Sequence, residues 1–169
     1  MKTYSNSSNK GFTLLEILLV IAAIGILAAI VLVAINPNRQ LAQARNAQRR
    51  SDVNTILNSI YQNIIDNSST GAPAILTTIT TTRNIISTAS ASCSTPAADG
   101  TGTDTPAVST SIDLAALLSP NYLAAIPRDP QASVTNCTDY VVSRDANNRI
   151  TVEAPRTESP ATDDISVIR

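Results

Sequence analysis

The sequence predicts an α+β protein: a long N-terminal helix packed against a small antiparallel-sheet head. Three observations carry this expectation. Residues 17–35 include no charged side chain, and a helix needs about 20 apolar residues to cross a hydrocarbon core of roughly 30 Å. Further on, Val53, Ile56, Leu57, Ile60 and Ile64 recur at helical spacing and form one apolar stripe. Finally, two β-branched segments, residues 140–143 and 150–152, flank a polar, Asn-rich loop and read as a hairpin. At 169 residues the chain fits one small domain plus an anchor.

The apolar stretch extends back to Phe12, and that extension brings Glu16 inside it. A charge deep in a bilayer costs about 2.5–3.5 kcal/mol on insertion scales, less near the interface. An ordinary anchor would carry Leu there, so the carboxylate calls for a purpose. The preceding residues 1–11 are polar with two lysines, Lys2 and Lys10. The apolar run behind them is longer than the stretch of about 7–15 residues in a secretory signal, and the charge pattern at its start is wrong for one. A cut near Ala34 and an uncleaved anchor are the competing readings.

Gly11-Phe12-Thr13-Leu14-Leu15-Glu16 resembles the processing site of type IV pilins and pseudopilins. The resemblance is specific over about the first fifty residues and weak beyond them. It implies removal of the leader after Gly11 by a prepilin peptidase, which also acts as N-methyltransferase on Phe12. It further implies a role for Phe12 and Glu16 in filament assembly, and Gly25 resembles a recurrent small residue of the family's helix. The organisation implied is a prepilin leader at 1–11, a transmembrane assembly half-helix at 12–36, an amphipathic half-helix at 37–67 and a small α+β head at 68–169. The expected partners are other copies of the chain, membrane lipid before assembly, and an inner-membrane assembly platform with its ATPase. Localisation follows: a single-pass inner-membrane precursor with an exported head, then a surface or periplasmic filament.

Orientation contains a conflict. Arg39, Arg45, Arg49 and Arg50 follow the apolar run and outnumber Lys2 and Lys10 before it. The positive-inside rule alone would keep the C-terminal side in the cytoplasm. The resemblance implies export, and Asp52 offsets part of the basic cluster.

Export bears on Cys93 and Cys137, the two cysteines. Being even in number, they are free to pair in an oxidising compartment, the alternative being two free thiols. A bridge closing about 45 residues would stabilise the head by about 4 kcal/mol.

Along the rest of the chain, Asn36-Pro37-Asn38 breaks the apolar run, and the helix is expected to resume from Arg39. Many pilins carry a proline earlier in this helix; residues 30–33 here contain none. Arg45, Arg49 and Asp52 line a polar side, with Arg49 and Asp52 spaced to pair at i, i+3. Residues 66–73 end the helix with turn formers. Residues 75–88 are rich in Thr and Ile and read as extended. Residues 87–106 form a Ser/Thr-rich loop containing Cys93. Within it Asp99 and Asp104 surround glycines like a calcium loop, but the EF-hand spacing is absent and a solvated turn is the reading. Ser111 is a candidate N-cap for a short helix ending before Pro120. The run Tyr122-Leu123 followed by Pro127-Arg128-Asp129-Pro130 resembles the loop preceding the sheet in pseudopilins and several small pilins. Residues 165–168 either add an edge strand or stay loose.

Composition argues against catalysis. There is no histidine, so neither a His-based triad nor a His metal site is expected. Both lysines lie in the leader, and two cysteines at this spacing match no zinc motif. No phosphate or dinucleotide fingerprint is present, and Asp163 and Asp164 sit in a polar tail. No cofactor is expected. Without the two lysines, the twelve Lys plus Arg fall to ten arginines against thirteen Asp plus Glu, a side-chain balance of −3. That balance gives no reason to expect nucleic-acid binding. The function expected is therefore a filament subunit, with a type II secretion pseudopilin as alternative and a membrane-anchored exported enzyme or binding protein as a remote one.

Overall fold

The computed structural model describes residues 11–71, 73–89, 93, 110–159, 161 and 164–169. The leader up to Lys10, the Asp99–Asp104 loop and Asp163 lie outside these. The chain divides into two units, 1–38 and 39–169.

The first unit contains α1, Leu14–Ala34. Its 21 residues are long and apolar enough to cross a membrane by length and composition. Side chains are exposed along its whole course, from Leu14 at 77% to Val33 at 87%. The helix stops where Ile35 turns extended, with φ −96° and ψ 108°. Asn36 precedes a proline, and Pro Cδ clashes with an α conformation at that position.

Pro37 then opens α2, Pro37–Asn67. At a first helical position proline loses nothing, since its missing N–H would have no intrahelical partner. The second helix thus starts two residues earlier than expected. It ends in a single 3₁₀ turn, Ser68–Thr70, followed by Gly71 at φ +116°, a conformation that side chains bearing a Cβ avoid.

The head is a five-stranded sheet against α2, in the order β2-β1-β3-β4-β5. The strands are β1 (Asn84–Ser87), β2 (Thr110–Asp113), β3 (Cys137–Arg144), β4 (Ile150–Ala154) and β5 (Ile165–Ile168). The expected hairpin is β3–β4, with Val142 opposite Val152, and β5 joins its edge with Val167 opposite Val152. The sheet is mixed, not purely antiparallel. β1 and β2 run parallel, Ile86 facing Ile112, and the long connection between them permits that return. Val53, Ile56, Leu57 and Ile60 of α2 form one core with Ile86, Tyr140, Val142, Val152 and Ile165.

Two local expectations need correction. Residues 75–88 are not extended throughout: α3, Ala74–Thr78, precedes β1. Ile75 and Ile79, four apart, are both fully buried, and the Ile79 N–H bonds the Ile75 carbonyl at 2.9 Å to close one helical turn between them. Ser111 caps no helix, because residues 110–113 are strand β2. The short α4, Ala115–Leu118, instead has its Ala115 N–H bonded to Asp113 Oδ1 at 2.9 Å.

Candidate processing and assembly site

Gly11 and Phe12 precede α1 and belong to no element. Phe12 is 79% exposed, and a Cβ added at Gly11 would meet nothing within 4 Å. Among the described residues, therefore, nothing demands glycine at position 11. The same open space surrounds Gly25.

Thr13 sets the start of the helix. It is extended, φ −78° and ψ 151°, and its Oγ1 accepts from the Glu16 N–H at 3.2 Å. A hydroxyl here satisfies one of the N–H groups that a helix start leaves without partners. Glu16 consequently stands at the third helical position, where the positive end of the helix dipole favours a carboxylate. Gly11, Phe12 and Glu16 are thus gathered at one exposed helix start. Sequence reasoning passed over Thr13, although Thr-x-x-Glu before an apolar run is a capping pattern.

In the head, Cys93 and Cys137 are bonded, with Cα atoms 5.7 Å apart. Cys137 opens β3 and is buried. The Arg128 guanidinium braces this end by donating to the Cys137 carbonyl at 3.2 Å and the Val134 carbonyl at 2.7 Å.

A second arrangement replaces the expected Arg49–Asp52 pair. Arg49 turns into the head and is fully buried, donating to both oxygens of Asp129 and to Glu158 at 2.9 Å. Asp129 is held in place by its own N–H bonded to the Thr138 carbonyl at 2.9 Å. Arg45 grips Glu158 with two prongs, and Asn46 bonds the Glu158 backbone on both sides. Asp52 accepts instead from Gln48 and from the buried Tyr140 hydroxyl, both at 2.7 Å. Burial works against the Arg49 charge, yet hydrogen bonds to Asp129 and Glu158 outweigh it and raise its pKa. Arg45, with Arg49 behind it, holds the Glu158 carboxyl down at about 2. The Pro127–Pro130 loop thereby acquires a physical role: it delivers Asp129 to helix α2.

Residues 6–32 match the family model for the prokaryotic N-terminal methylation motif. No curated protein and no solved structure is significantly similar to the chain. The matched segment spans the Gly11–Phe12 junction, Glu16 and most of α1. Together with the apolar helix, the match makes the chain similar at its N-terminus to membrane-anchored precursors that bear this motif. With its α+β head, the chain is consistent with the type IV pilin and pseudopilin family, and the motif implies assembly into a pilus-like filament.

Proposed function

We propose that this chain is a structural subunit of a type IV pilus-like filament, without catalytic activity of its own. The leader is removed after Gly11, Phe12 is N-methylated, and the mature subunit assembles through α1. The observation that carries this reading is the methylation motif at residues 6–32 placed on an exposed apolar helix start. A bare apolar helix of this kind is stable only in lipid or against other apolar helices. The head then faces the exported side, a reading that its disulfide supports.

The test is the mass of the subunit recovered from sheared filaments. It should begin at a methylated Phe12, and Gly11→Val should leave the leader attached and abolish filaments. An N-terminus at Met1 or near Ala34 in assembled material would overturn the reading.

A pseudopilin of a type II secretion system is the second reading. It is favoured by the Pro127–Pro130 loop, whose Asp129 is locked to Arg49. Loss of secreted hydrolases on deletion, with surface pili unchanged, would select it.

A further inference from the structure

Cleavage after Gly11 adds water across the Gly11–Phe12 amide, leaving a carboxylate on Gly11 and a free amine on Phe12. A peptidase has to reach that carbonyl from outside any helix, since cleavage concentrates where backbone is exposed and free of regular hydrogen bonds. The backbone around the bond is close to losing that freedom. In an α-helix each N–H bonds the carbonyl four residues back. If α1 grew by two residues at its start, Glu16 N–H would take the Phe12 carbonyl, and Leu15 N–H would take the Gly11 carbonyl, the one to be attacked. Residues 11–13 contain no proline to stop this growth.

What stops it is a side chain. The Thr13 hydroxyl already occupies the Glu16 N–H at 3.2 Å, while the Thr13 carbonyl takes the Ile17 N–H at 3.3 Å. The Phe12 carbonyl is thus deprived of its only i+4 helical donor. Thr13 itself is extended, so the helical backbone does not run through it to the bond. We infer that Thr13 is a positioning residue for processing: its hydroxyl, by capping α1, keeps the Gly11–Phe12 bond outside the helix and open to the prepilin peptidase. This rests on the processing reading above and adds the residue that makes the bond available.

Removing a cap of this type shifts a helix-start equilibrium by roughly fivefold. The experiment follows leader removal over time in the full-length precursor co-expressed with a prepilin peptidase, normalised to membrane-inserted precursor. Thr13→Val keeps the shape and removes the cap. Thr13→Ser and Thr13→Asn restore a cap, the second without a hydroxyl. Cleavage should slow about fivefold in Thr13→Val and return to near the wild-type rate in both others. A wild-type rate for Thr13→Val overturns the inference. So does slow cleavage of Thr13→Asn, which would mean that the peptidase reads the hydroxyl directly. If the wild-type chain itself is not cleaved, the processing reading falls first and this one with it.

Discussion

Arg49 and Asp129, eighty residues apart in the chain, meet in a two-pronged ion pair from which water is fully excluded, Nε to Oδ2 at 2.6 Å and Nη2 to Oδ1 at 3.2 Å. Asp129 accepts a further bond from the Gln131 N–H at 2.8 Å, and Arg49 also reaches Asn46 and Gln131. A buried charge pair is tolerated when its remaining hydrogen-bonding capacity is filled, and here it is.

Removing one partner is therefore costly. Arg49→Met should leave two carboxylates facing a buried apolar chain and destabilise the head by about 3–5 kcal/mol. Thermal unfolding of the full chain in detergent, followed by circular dichroism, measures it. A loss below about 1 kcal/mol would mean that the pair is dispensable.

Acid should act through Glu158. Its folded carboxyl titrates at about 2, below the usual carboxylate range, because Arg45 and then Arg49 bond its charged form. The stabilisation is present above the unfolded value near pH 4.5 and is lost as pH falls toward 2. Asp139 acts in the opposite sense, since burial raises its pKa despite Arg156, and a net pH slope would mix the two. The clean observable is the difference between wild type and Glu158→Gln, which should shrink steadily from pH 5 to pH 2. A constant difference would refute the assignment.

Tyr140→Phe removes the phenol that reaches Asp52, at 2.7 Å in the core. Asp52 retains Gln48, so the expected loss is about 1–3 kcal/mol, the cost of one unmet bond to a charged group. Burial, with Asp52 adding to it, pushes the Tyr140 phenol far above its ordinary value. Ultraviolet titration to pH 12 should accordingly show one tyrosine that does not ionise while the fold persists.

Reduction should weaken the head. The bridge joins residues 44 apart, for which chain entropy gives about 4 kcal/mol. Chemical denaturation of the full chain with and without reductant checks this; coincident curves would show that the bridge contributes nothing.

On the proposed filament reading, Glu16 of an incoming subunit meets the Phe12 amine of a subunit already in place. Two unit charges about 4 Å apart gain roughly 4 kcal/mol at an effective dielectric near 20, before desolvation. Glu16→Leu should insert and be cleaved yet assemble poorly, and Glu16→Gln should fail less completely. Counting sheared filaments against membrane-held subunits decides it, and normal yield from Glu16→Leu would refute the pairing.

What the sequence by itself determined is what depends on local pattern. An uncharged run makes α1, a proline breaks it at Asn36, and Val53, Ile56, Leu57 and Ile60 mark a buried stripe. Two β-branched segments around a polar loop make the β3–β4 hairpin. The motif around Gly11 and Phe12 was equally legible, because it is read from adjacent residues. Only the tertiary structure decided where polar residues go. The buried stripe of α2 continues toward its start through Asn46 and Arg49, whose polarity alone assigns them to a solvated face, since a lone arginine belongs in water. It is buried because Asp129 and Glu158, brought from 80 and 109 residues away, replace that water with fixed charge. The parallel pairing of β1 with β2 had the same origin, a long-range contact that no local periodicity encodes.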